Sequence, residues 1–295
     1  MWNPANEGPP IPAENQIGMN IVDSQVHVWA VATPERPWST GQQRAHRPVP
    51  FSKEDLLREM DAARVQRAVI VPPWWAGEYN DVGLEAARLH PDRFAVMGLL
   101  DLVAPSARER LATWRRQSGM LGLRFSSQHP KYQSALAERY IDWLWPAAEK
   151  AGVPIMLSVS PDQLCLVDHI AARHSGLKLI IDHLARDFGK KDAEAFAKMD
   201  QLLVLAKRPN IAVKASGMPA YASDGYPYRS VHPYIRRAYD AFGPKRMFWG
   251  SDFTKLPCTY QKATTMFTEE LEWLTGEDKE WIMGRGLCEW LGWKL

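Results

Sequence analysis

Eight short apolar runs, helically patterned segments between them, and a contrast between short and long connections predict an α/β chain folded as a single (β/α)8 TIM barrel. The apolar runs are 21–28, 67–72, 94–100, 120–125, 154–159, 177–182, 210–215 and 246–250. Several are β-branched and almost continuously apolar, as parallel strands covered on both faces tend to be. The connections leading into them are short and built from turn formers, such as His90-Pro-Asp-Arg, Ser175-Gly and Phe242-Gly-Pro-Lys. The segments that follow the strands are longer and chemically richer, as on the rim of a barrel that carries a site.

Residues 1–19, rich in Pro, Asn and Gly, are expected to form an extended arm, and residues 20–295 the barrel. The first strand, 21–28, alternates so that Asp23, Gln25, His27 and Trp29 share one face, with Val22, Ser24, Val26 and Val28 on the other. Helical periodicity follows over 53–63, 82–89, 104–117, 135–151, 162–174, 190–207 and 231–242, each segment leading to the next strand. After the eighth strand, 260–274 and 278–291 read as two closing helices. A doubly wound open sheet is the main rival. Its phosphate-binding GxGxxG appears nowhere after the first strand.

Composition narrows the function. With 46% hydrophobic residues the 295-residue chain can bury a large core. The charges, 36 Lys+Arg against 34 Asp+Glu, are dispersed, which argues against a nucleic-acid partner. No apolar run approaches the roughly 20 residues of a membrane span. The first residues lack the basic and apolar regions of a signal peptide, and three scattered cysteines form no paired motif. A reduced, cytoplasmic protein acting on a small molecule, as a monomer or a homo-oligomer, is the expectation.

Polar residues foreign to a core stand at the ends of several strands: Gln25 and His27, Arg124, Asp182 and His183, Lys214, and Asp252. One such histidine is ordinarily a satisfied structural residue. In a barrel these ends converge on one rim, so the set together points to a site. Aromatic residues crowd the loops of that rim, Trp29, Trp75 and Tyr221 among them, and suggest an apolar-walled pocket for a small cyclic ligand.

The ordered pieces Asp23-Ser-Gln-Val-His27-Val-Trp29, His90-Pro-Asp-Arg-Phe, Gly122-Leu-Arg124-Phe, Asp182-His183-Leu, Asn210-Ile-Ala-Val-Lys214 and Trp249-Gly-Ser-Asp252 resemble the amidohydrolase superfamily. Within it they are similar to the branch of barrel hydrolases that includes sugar-acid lactonases and 2-pyrone-4,6-dicarboxylate lactonase. The resemblance implies that Asp252 is the general base for an attacking water. It implies that His27 and His183 either bind a divalent metal together with Asp252 or, in metal-free relatives, point donors at the substrate carbonyl. Arg124 would clamp a substrate carboxylate.

The departures from the family pattern bear on the chemistry. The first-strand His-x-His is Gln25-x-His27 here, and the fifth strand ends in Ser158 where metal-dependent relatives supply a histidine. Amide and hydroxyl groups are poor zinc ligands beside imidazole. The expectation is therefore hydrolysis of a small carboxylated lactone with no metal, with one zinc or manganese ion on His27, His183 and Asp252 as the other case. Gln25, Ser158, Trp29, Trp75 and Tyr221 are expected to touch substrate. Lys214 would act as an added electrophile or neutralise Asp252. Two other readings stand beside this one: a metal-dependent decarboxylase of an aromatic acid, and an inactive ligand-binding barrel.

Overall fold

A computed structural model of the chain describes residues 18–38, 46 and 49–294. The expected arm therefore lies almost wholly outside the described residues. Eight parallel strands run in sequence order: β1 (Val22–Val26), β2 (Arg67–Ile70), β3 (Phe94–Gly98), β4 (Met120–Ser126), β5 (Ile155–Ser158), β6 (Leu179–Ile181), β7 (Ile211–Ser216) and β8 (Met247–Gly250). All eight expected strands are present, and helices alternate with them, so the chain is a (β/α)8 barrel. No helix among the described residues is long and apolar enough to cross a membrane.

Two apolar clusters hold the barrel. Inside it, Val22, Val69, Met97, Met156, Ile180 and Phe248 pack together, with Leu287 and Leu291 of the last helix closing the floor. Outside it, the other faces of the strands meet the helices, as where Ile70, Val96 and Leu123 join Leu56, Leu111 and Leu144. The strict alternation expected of β1 fails. Its register shifts between Asp23 and Val26. Val22 joins the inner cluster, and Gln25 also turns inward, to Lys214.

Among the described residues no regular ladder joins β8 to β1; side chains make that seam. The Asp23 carboxylate accepts from the Ser251 N–H at 3.0 Å, from Gln25 N–H at 2.8 Å and from the Tyr260 hydroxyl. Alongside, Asp252 N–H donates to the Gln25 carbonyl at 2.9 Å. Gly250 permits the approach, since a Cβ there would stand 2.5 Å from Ser24 Oγ and 3.0 Å from Ser216 Cβ.

Several expected helices are shorter than the periodicity suggests. The segment 104–117 is helical over Ala107–Ala112, and 260–274 over Tyr260–Thr268. The segment 135–151 breaks into Ala135–Glu138 and Leu144–Ala151, because Arg139 takes a left-handed conformation at φ 63°. The segment 190–207 divides into Asp192–Ala195 and Met199–Leu203, followed by a tighter turn. The closing helix widens into a π-type turn at Trp281–Arg285, where Gly284 comes so close to the start of β1 that a Cβ would lie 2.4 Å from the Asn20 carbonyl.

Candidate active site

The strand ends converge as a barrel requires. His27 follows β1 and lies buried with its Nδ1 2.6 Å from the Val71 carbonyl. A carbonyl only accepts, so this contact fixes the proton on Nδ1 and leaves the Nε2 lone pair facing inward. That Nε2 stands 3.0 Å from Asp252 Oδ1. Burial holds the His27 imidazole below its ordinary range, although Asp252 pulls the other way.

Asp252 follows β8 in a left-handed conformation, φ 50°. Burial would raise its carboxyl. The Lys255 ammonium, 3.1 Å from Oδ2, outweighs that and holds it well below the usual carboxylate range. Asp252 is ionised at neutral pH.

His183 follows β6 within a left-handed run, where His183, Leu184 and Ala185 have φ of 54°, 52° and 47°. Such backbone is strained for residues with a Cβ, by about 1–3 kcal/mol each. The run turns the His183 ring so that Nε2 lies 4.0 Å from Asp252 Oδ2, while Nδ1 sits 2.8 Å from the Ser216 hydroxyl. Burial lowers its pKa to about 3. The same Nδ1 is also 3.3 Å from the Ser216 carbonyl, so Ser216 holds the ring from both its hydroxyl and its backbone.

Behind these groups runs a buried charged chain. Lys214, fully buried on β7, places Nζ on Gln25 Oε1, on Asp182 Oδ1 at 2.7 Å and near Met156 Sδ at 3.4 Å. An ammonium only donates, so it fixes the Gln25 amide with its NH2 toward His27 Nε2, 3.2 Å away. Arg124 donates from Nε to the other oxygen of Asp182 at 3.2 Å. Burial would raise Asp182 too, and Lys214 and Arg124 together hold it down.

The pocket is lined by His27, His183, Arg124 and Trp75, all named from the sequence, and also by His46, Trp74, Gln128, Arg186 and Lys255. Other expected residues stand elsewhere. Gln25 and Lys214 form the layer behind His27, and Lys214 pairs with Asp182 rather than neutralising Asp252, because β7 carries it to that side of the barrel. Ser158 accepts from Gln128 Nε2 at 2.8 Å, so Gln128 presents that position to the pocket. Trp29 stacks edge-on against Trp75 and His46, one layer outward. Tyr221 packs under the Arg186 guanidinium, whose Cζ is 3.9 Å from the ring centre.

A divalent cation on His27, His183 and Asp252 would compete with two contacts already made there. Gln25 aims an N–H at His27 Nε2, and Lys255 sets an ammonium on Asp252 Oδ2. Among the described residues no group of three or more His, Cys, Asp or Glu side chains is arranged to hold a metal ion.

Comparison with known proteins places this geometry in context. The family model described as amidohydrolase matches residues 22–285. The L-fucono-1,5-lactonase of Burkholderia ambifaria is 28% identical over 244 residues, 79% of each chain. The 4-sulfomuconolactone hydrolase of Hydrogenophaga intermedia is 25% identical over 240 residues, 78% of this chain and 73% of that one. Among solved structures, an amidohydrolase from Burkholderia multivorans with bound zinc superposes with a TM-score of 0.78 at 23% identity, covering 92% of this chain and 99% of that one, a likeness of fold.

Proposed function

The chain belongs to the amidohydrolase family, and on that premise we propose that it is a lactonase that opens a small carboxylated lactone with Asp252 as general base and without a metal. The observation that carries this reading is the buried, ionised Asp252 where the strand ends converge, 3.0 Å from His27 and 4.0 Å from His183. As water attacks the lactone carbonyl, its proton passes to the Asp252 carboxylate.

Lys255, and His183 as the Nε2–H tautomer this mechanism requires, supply positive ends for the oxyanion that develops on the carbonyl. Collapse of that intermediate breaks the ring C–O bond, and the held proton goes to the leaving alkoxide. The products are a hydroxyl and a carboxylate on one open chain. Arg124, with Nε fixed by Asp182, offers its remaining N–H groups to a substrate carboxylate. An ester leaving group needs no stronger electrophile than these donors. Names of relatives that act on cyclic esters support the same class.

A pH-indicator assay over a panel of lactones tests the proposal, since each turnover releases acid. Asp252→Asn is expected to lower kcat by about a thousandfold or more, and exhaustive chelation to leave kcat unchanged. Loss of activity on chelation with recovery on adding zinc or manganese would overturn the metal-free mechanism.

A further inference from the structure

We propose that the barrel carries a second ligand site on the rim opposite the candidate active site, a cavity that takes a small aromatic carboxylate. The residues of the candidate active site follow their strands. This cavity, of about 160 Å3, is lined instead by residues that precede them. Val153 and Pro154 stand before β5, Leu177 and Lys178 before β6, and Arg115 in the turn ahead of β4, while Trp290 closes the wall from the last helix. A protein cavity of about 150 Å3 is large enough for a benzene ring.

Its walls and its charges are separate. Val153, Pro154 and Leu177 are buried and Trp290 is half-buried, so the walls present apolar surface. Beside them stand two exposed cations. Arg115 donates from Nη1 to the Gly152 carbonyl and from Nη2 to the Leu291 carbonyl, both at 3.1 Å. Lys178 donates to the Trp290 carbonyl at 2.9 Å, with Nζ 5.6 Å from the Trp290 ring centre. Trp290 and Leu291 are consecutive, so the two cations are held side by side at the negative end of the last helix. A guanidinium has five N–H groups and an ammonium three, so these contacts leave 5 − 2 = 3 on Arg115 and 3 − 1 = 2 on Lys178.

No Asp or Glu lines the cavity, and neither cation meets a carboxylate among the described residues. Glu149, close by in the preceding helix, is taken by His174 at 3.1 Å and by the Gly176 N–H at 2.8 Å. Capping the helix accounts for the two cations but not for the hollow between them. Gly152, at φ 61°, leaves that wall without a side chain, and a Cβ there would meet nothing within 4 Å. Exposed charges alone hold an anion weakly. A flat ring covering the apolar walls adds the burial that charge does not supply, and its carboxylate meets the free N–H groups.

Calorimetric titration of the full chain with benzoate, benzamide and acetate tests this, since the second lacks the charge and the third the ring. Benzoate is expected to bind at least tenfold tighter than either. Arg115→Met/Lys178→Met should weaken benzoate about tenfold or more with an unchanged circular dichroism spectrum, and Arg115→Lys/Lys178→Arg should keep most of the affinity. Arg124→Met, in the candidate active site, should leave this benzoate binding within about twofold. No benzoate binding, equal binding of benzoate and benzamide, or an affinity unchanged in Arg115→Met/Lys178→Met would overturn the site. A loss in Arg124→Met as large as in that double variant would place benzoate in the catalytic pocket and overturn it as well.

Discussion

Replacing Asp23 separates its hydrogen bonds from its charge at the seam of the barrel. The carboxyl is fully buried, and burial, partly offset by hydrogen bonds from Ser251, Tyr260 and Gln25, pushes its pKa from 3.8 up to about 6. A group whose folded pKa is raised contributes stability that is present below the unfolded pKa and lost as pH rises through the folded one. The loss is about 2.2 units at 1.36 kcal/mol each, or about 3 kcal/mol by pH 7.5. The amide of an Asp23→Asn variant would keep an acceptor for the Ser251 and Gln25 N–H groups and turn its NH2 to the Tyr260 oxygen. That variant is therefore expected to match wild type near pH 4 and to exceed it by about 3 kcal/mol at pH 7.5. Asp23→Ala instead strands three buried donors at about 2 kcal/mol each. Set against the relieved charge, that leaves a net loss of roughly 3 kcal/mol at pH 7.5. Urea unfolding followed by tryptophan fluorescence, at matched pH, gives both differences directly. A difference between wild type and Asp23→Asn that stays flat with pH, or an amide variant as weak as the alanine one, would refute the reasoning.

Two further outcomes follow from the same geometry. Lys255→Met removes the ammonium that most lowers Asp252, so the acid limb of kcat/KM should move upward. Lys255 is 39% exposed, so solvent screening limits the size of the move, and an unmoved limb in a folded variant would contradict the pairing. Lys214→Met leaves Asp182 buried with Arg124 alone and should destabilise the fold by about 3–5 kcal/mol. Adding Asp182→Asn should restore at least half of that in chemical denaturation, whereas additive losses would show that the two side chains act independently.

The barrel was legible because parallel strands buried on both faces must be runs of Val, Ile, Leu and Met. His27, Arg124, His183 and Asp252 were legible for the complementary reason, being polar residues ending such runs. What escaped was set by geometry that spacing does not encode. The alternation of β1 was broken by a register shift, so Gln25 faces Lys214 instead of the pocket. The partner of Lys214 depended on which strand end lay across the barrel from it. His46, Gln128 and Arg186 sit in loops, where position follows from backbone turns rather than from periodicity. For Arg186 the one available signal was its place three residues after His183, and only the left-handed path of the chain brings the two together. Arg139 and Gly284 interrupted helices whose apolar pattern was otherwise continuous.

Three successive left-handed residues also say something about robustness. His183, Leu184 and Ala185 hold a posture that an L-residue leaves readily, and each is kept there by its neighbours. The few kilocalories stored in that bend come out of a total stability that in ordinary proteins is only about 5–15 kcal/mol. The margin left to absorb a damaging substitution anywhere in the core is smaller by that amount. The loop that aims the imidazole thus also limits how far the rest of the sequence can drift and still fold.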